Sequence, residues 1–224
     1  MSTIAAGVRH RPQERKDLWW LEPTVIVVVL GTFVLYSMYA GLANANYFFE
    51  PYLSPLYSPC LTANCVHPTL PLIGSYWNLS PAILIVAFPL AFRVTCYYYR
   101  RSYYRAFFWS PPALLIFLWW DVILAFNFGG RFGIGLGTVL MLANVILLSG
   151  YSASCHSLRY LVGGYLDSFH GKSLRYRLWS WANWLNARHA RWAWASLIVV
   201  GLTDLYIRLL SMGVLSDPRW VPGT

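Results

Sequence analysis

The chain has 224 residues, of which 58% are apolar and only 11% charged, and its formal net charge is +9. So few charges cannot cover the surface of a water-soluble domain of this size, so the composition excludes an ordinary soluble fold and points to lipid as the solvent. A nucleic-acid-binding role is also disfavoured, because the basic residues flank apolar runs and do not line a domain of their own.

The N-terminal stretch MSTIAAGVRHRPQERKD is polar and basic, and no small-residue cleavage site follows it, so it is expected to be retained and not removed as a signal peptide. Apolar runs then occur at 24–43, 81–99, 112–128, 132–155 and 190–212. Each is long enough to cross a hydrocarbon core of about 30 Å at about 1.5 Å per residue. The expected fold is all-α: one polytopic membrane domain over 1–224, a bundle of five transmembrane helices with an interfacial helix. Pro23, Pro81 and the Pro111–Pro112 pair stand at or just before the first turn of three runs, where a missing N–H costs nothing.

The segment 44–80, after the first run, contains no Lys or Arg. It holds Cys60 and Cys65 among Pro and Tyr residues, for which a short-loop disulfide is expected, with a metal site that includes His67 as the alternative. Between the third and fourth runs, Asn127-Phe-Gly-Gly-Arg131 is tight enough to force an antiparallel hairpin. Before the last run, KSLRYRLWSWANWLNAR at 172–188 places Leu174, Leu178, Trp181 and Leu185 on one helical face, the pattern of an interfacial helix. A connecting loop with headgroup-level tryptophans is the plainer alternative.

Orientation follows from the basic residues. Four Lys/Arg precede the first run, three lie in 100–105 and six in 159–191, so thirteen share one side while only Arg131 and Arg219 fall on the other. The positive-inside rule then places the N-terminus in the cytoplasm and 44–80 outside, in a multi-pass protein of the plasma membrane. Anionic lipid and a docked partner are the expected neighbours of the basic face.

Arg93, Asp121, Asp204 and Arg208 are ionisable residues inside apolar runs, and each is a functional candidate on that ground. Asp204 and Arg208 are spaced i, i+4 and can pair with each other. Asp121 has no basic residue at i±3 or i±4, so it either relays a proton or makes a buried structural hydrogen bond. Arg93 can reach the inner surface by snorkelling. Antiparallel tracing also brings Cys96, Cys155, His156 and His189 to the inner end of the bundle, with His170 as a substitute. Two Cys and two His suit a tetrahedral zinc site or a Rieske-type iron–sulfur cluster, against the plainer reading of small buried thiols and interfacial imidazoles.

Three strings carry a resemblance: FRVTCYYYRRSYYRAFFWSPP at 92–112, SCHSLRYLVGG at 154–164 and LNARHARWAWASLIVVGLTDLYIRL at 185–209. They resemble the membrane-anchor subunit (cytochrome b-like) of actinobacterial-type succinate dehydrogenase. The resemblance implies an anchor that binds an iron–sulfur subunit and an FAD-bearing flavoprotein on the cytoplasmic face, with room for a further small membrane subunit. It also implies that succinate's electrons pass to a membrane quinone, in the respiratory chain and the tricarboxylic acid cycle. The chain has five His, with His10 in the N-terminal arm and His67 in the outer loop, too few in the spans for a two-haem path. The resemblance and the Cys/His set together favour a Rieske-type [2Fe–2S] centre with Cys96, Cys155, His156 and His189 as ligands; one haem b between His156 and His189 is the alternative. Adjacent Cys155 and His156 point about 100° apart on an ideal helix, so this ligand set requires the helix to end there. Tyr151, Arg159, Arg93 and Tyr97 are the candidates for the quinone site. Two readings of other classes compete: a passive anchor or assembly subunit without a redox group, and a small transporter built on Asp121, Asp204 and Arg208.

Overall fold

The structure is a computed structural model, and it describes residues 18, 20–43, 45–56, 115–163 and 174–222. Helix α1 (Leu21–Ala43) opens with Glu22 and Pro23 in its first turn, where an acidic group meets the positive end of the dipole and a missing N–H goes unnoticed. The Thr24 hydroxyl donates to the Trp20 carbonyl at 2.7 Å. Much of the helix presents bare apolar surface, with Val27 68% and Leu35 70% exposed, as a helix bathed in lipid does. After it, β1 (Phe48–Phe49) pairs antiparallel with β2 (Tyr52–Leu53).

Helix α2 (Leu115–Leu124) leads into β3 (Asn127–Phe128) and β4 (Arg131–Phe132), which form the tight hairpin expected at Asn127–Arg131. Gly129 and Gly130 both have positive φ, 61° and 86°, the pair of left-handed positions that a two-residue hairpin turn of this hand demands. The Gly130 N–H donates to Asn127 Oδ1 at 2.7 Å. Next, β5 (Ile134–Gly135) pairs with β6 (Arg219–Trp220), and the chain enters α3 (Leu136–Ala153). The Thr138 side chain caps this start by accepting from the Gly135 N–H at 3.2 Å while donating to the Ala125 carbonyl at 2.9 Å. Three more helices complete the described fold: α4 (His156–Gly163), α5 (Leu174–Asn186) and α6 (His189–Ser211).

Helices α3 and α6 run antiparallel in close contact, with Gly150 against the Trp192 ring and Thr203 level with the Leu140 carbonyl. Helix α1 lies parallel to α6, since Phe33 faces Gly201 and the Ala40 carbonyl accepts from Arg208 Nη2 at 2.9 Å. A core of Tyr52, Leu118, Val122, Ala125, Met141, Val145, Ile207 and Leu210 joins the β2 strand to α2, α3 and α6.

The protein is mostly helical, and among the described residues α1, α3 and α6 are long and apolar enough to cross a membrane. The run 81–99 lies outside the described residues. Two expected spans end or begin elsewhere than drawn. The run 112–128 is helical over the described Leu115–Leu124 and stops there, because Ala125 and Phe126 turn the chain into the hairpin. The run 132–155 becomes helical only from Leu136 and stops at Ala153, since its first residues pair as β4 and β5 and its last ones cap a break. Short two-residue pairings therefore decorate a fold expected to be all-α. Apolar composition marks a span; it does not mark where the backbone turns.

Candidate functional site at the Ser154 break

Helix α3 does not run through Cys155. Its C-cap is Ser154, whose N–H returns to the Gly150 carbonyl at 2.9 Å, and the chain restarts as α4 at His156. The sequence YSASCHS explains the break. The Ser154 hydroxyl donates to the Tyr151 carbonyl at 2.8 Å, offering the backbone a partner that competes with helix continuation. Cys155 therefore sits between two helices, and the helix does end where a ligand pair of adjacent Cys155 and His156 requires it to end.

Two imidazoles meet at this break. The rings of His156 and His189 are 6.3 Å apart between centroids and tilted by 53°. Because the Ser154 hydroxyl proton is committed to Tyr151, Ser154 Oγ accepts from the His189 Nδ1–H at 2.7 Å. That assigns the proton to His189 Nδ1 and makes Nε2 the acceptor nitrogen. Tyr151 stacks on the His189 ring, 5.0 Å between centroids and 17° between planes. The Asn186 amide donates to the Ser154 carbonyl at 2.8 Å and to His156 Nδ1 at 3.3 Å. His156 so held carries its proton on Nε2, the opposite tautomer to His189. One ring offers an acceptor or ligand nitrogen, the other an N–H donor.

These contacts bear on the proposed cofactor. His189, oriented through Nδ1 by a neighbouring hydroxyl, has the arrangement of a metal-ligating histidine. His156 would fit the same role through Nδ1 once that lone pair is released from the Asn186 amide. Cys155 is half-exposed, but it does not close a set with the two rings: among the described residues no three His, Cys, Asp or Glu stand close enough to hold one metal ion. Cys96, His170, Arg93, Tyr97, Cys60, Cys65 and His67 lie outside the described residues. Of the quinone candidates, Tyr151 faces His189, whereas Arg159 is turned toward α5, with its guanidinium 5.9 Å from the Trp179 ring centroid. Ser154 and Asn186 escaped the sequence reading, although the serine-rich string that ends α3 was the signal for the first of them.

Asp121 is 4% exposed and lies in the last turn of α2, its carbonyl accepting from the Ala125 N–H at 2.9 Å. Asp204 and Arg208 do pair, at 2.8 Å, and the pair is built into the fold. Asp204 also accepts from the Tyr36 and Ser54 hydroxyls. Arg208 donates to the Ala45 and Ala40 carbonyls at 2.6 and 2.9 Å. A second carboxylate, Asp217, accepts from Tyr52 at 2.6 Å, Tyr206 at 2.7 Å and the Gly137 N–H at 3.2 Å. Burial and the adjacent Asp217 push the Tyr52 phenol up from its ordinary value. These contacts hold α1, the β1–β2 hairpin, α3 and α6 together. This is a structural clamp, and it leaves a transport reading of Asp204 and Arg208 without an open ionic group.

Comparison with known proteins gives the same direction. No curated protein matches the chain. Among solved structures, a chain of the Mycobacterium smegmatis Sdh1 complex in the apo form is similar, at 32% identity and a TM-score of 0.73 over 96% of both chains. The profile described as actinobacterial succinate dehydrogenase subunit SdhC matches residues 21–116 and 113–213. With helices long enough to span a membrane and these matches over nearly its whole length, the chain belongs to the actinobacterial succinate dehydrogenase SdhC family, and is a membrane-anchor subunit of that oxidoreductase complex.

Proposed function

We propose that this chain anchors a succinate:quinone oxidoreductase in the plasma membrane and carries electrons from the iron–sulfur subunit to a membrane quinone at the Ser154 break. The observation that carries this reading is the imidazole pair of His156 and His189, held in opposite tautomers by Asn186 and Ser154. The partners are the iron–sulfur subunit and the FAD-bearing flavoprotein, docked on the cytoplasmic face, with a further small membrane subunit compatible with the fold.

Five crossings with the N-terminus inside remain the proposed topology. Helices α1 and α2 both run parallel to α6, since α2 is folded back on α3 by the hairpin and α3 is antiparallel to α6. Two consecutive parallel spans require an antiparallel crossing between them, which supports the run 81–99 as that crossing.

In this proposal His156, His189 and Cys155, with Cys96, hold a Rieske-type [2Fe–2S] cluster, which supplies one-electron transfer at a potential above that of all-thiolate ferredoxins when bound. The residues of this chain have definite tasks around it. Ser154 orients the His189 ring, and Tyr151 covers one of its faces. Tyr151 and Arg159, together with Arg93 and Tyr97, form the walls and hydrogen-bond donors for quinone. Asp121 delivers or holds a proton within the bundle. A second reading has one observation in its favour: the two imidazoles stand together without a third ligand residue among the described residues, which is what one haem b would use.

Affinity purification of the tagged chain from its membranes tests the proposal. Recovery with a flavoprotein and an iron–sulfur subunit, and quinone reduction driven by succinate, is the expected result. A complex that lacks both subunits contradicts it, and an absorption spectrum of the same preparation separates cluster from haem.

A further inference from the structure

Helix α5 carries a face that the fold leaves open. Ala182 and Leu185 are buried at 1% and 5%, so one side of the helix is seated against its neighbours α3 and α4. On the other side Arg177, Trp181, Trp184 and Arg188 follow at i, i+4, i+7 and i+11, a single stripe down the helix and into the turn that ends it. Trp181 and Trp184 are each 52% exposed, Arg177 is exposed, and Leu174 and Leu178 extend the apolar margin at 72% and 47%. The Leu185 expected on the same open face is instead the buried residue, because a stripe centred on Trp181 leaves it turned toward α3 and α4.

Two features specify what covers this stripe. No Asp or Glu occurs from 168 to 203, and among the described residues no carboxylate pairs with its arginines. The Arg188 guanidinium lies 4.3 Å from the Trp184 ring centroid and donates to the Trp184 carbonyl at 3.0 Å, so the cation is already fixed over the indole. The height of the stripe is also fixed. Only Ala187 and Arg188 separate α5 from α6, a membrane-spanning helix, so α5 lies at the level where that helix leaves the hydrocarbon.

We infer that the Arg177–Trp181–Trp184–Arg188 stripe is a binding site for an anionic glycerophospholipid. The guanidinium groups take the phosphates as planar, multiply hydrogen-bonding cations, and the indoles sit at the boundary of headgroup and acyl chain. A soluble protein partner could bring carboxylates to the same arginines, but it would have to cover two half-exposed tryptophans and two leucines at a level already occupied by lipid. The lipid therefore has the better match to the whole face.

The purified full chain, titrated in detergent with phosphatidylglycerol or with phosphatidylcholine of the same acyl chains and read by native mass spectrometry, tests this. The wild type should retain phosphatidylglycerol more tightly, with about a fivefold share of the preference owed to each arginine. The R177Q/R188Q double variant should lose that preference, R177K/R188K should keep most of it, and R131Q/R219Q at the opposite end should be unchanged. The lysine pair also guards against misfolding of the glutamine variant. A wild type that binds the two lipids equally overturns the inference. So does an R177Q/R188Q variant that keeps its lipid preference; if a tagged form of that variant also fails to copurify with the soluble subunits, the stripe is a protein interface.

Discussion

Ser154 controls more than its own position. Its hydroxyl ends α3 by donating to Tyr151 and fixes His189 by accepting from Nδ1. Ser154→Ala removes both effects, so it should lower stability by about 1–3 kcal/mol, the ordinary net worth of two hydrogen bonds, and loosen the His189 ring. Histidine proton resonances of the labelled chain check the second part, since His189 should lose its fixed tautomer while His156, held by Asn186, keeps its own. At the far end Asp204 is tied to Arg208, Tyr36 and Ser54. Asp204→Ala leaves the Arg208 cation buried without its carboxylate and should cost about 3–5 kcal/mol in thermal or denaturant unfolding. The i, i+4 spacing made this pair readable in the sequence. The tyrosine and serine donors were not readable, because they come from α1 and from the loop after β2, more than a hundred residues away in the chain.

Among the elements, the β1–β2 hairpin is held to α3 by Tyr52, which is buried and reaches Asp217. A Cβ at Gly137 would stand 2.5 Å from the Tyr52 ring, so Gly137→Ala should displace that ring and destabilise the hairpin, an effect that limited proteolysis of residues 45–56 would register. The pH dependence of this clamp has a definite sign. Burial and Asp217 raise the Tyr52 phenol above its unfolded value, so the clamp is fully present below about pH 10 and weakens as pH rises through the raised value. Tyr52→Phe should remove this alkaline component of the unfolding profile. Helix positions were legible because apolar runs of sufficient length have few alternatives in lipid. The break at Ser154 was foreseeable only as a condition on Cys155 and His156, and the pairing of β5 with β6 was invisible, because two-residue ladders between distant segments leave no periodic trace.

For the whole molecule, the Lys/Arg asymmetry predicts an N-terminus and an α5 stripe on the cytoplasmic side, and a β1–β2 hairpin on the other. An introduced cysteine in 45–56 should react with an impermeant maleimide from outside intact cells, and one at Trp181 only after permeabilisation; the reverse pattern would invert the anchor and its docking face. The family itself was legible in the strings at 92–112, 154–164 and 185–209, because the residues that terminate α3, open α6 and form the Asp204–Arg208 pair fall within them. The ligand set was less legible, since it depends on how close Cys155 stands to two rings on other elements. The Cys/His ligand set is tested by low-temperature electron paramagnetic resonance of the intact complex, wild type against Cys155→Ser and His189→Ala, with iron counted in each. A mixed-ligand [2Fe–2S] signal is expected in the wild type, lost in both variants while the partner subunit's cluster signals persist. Unchanged spectra and unchanged iron in both variants would contradict that ligand set.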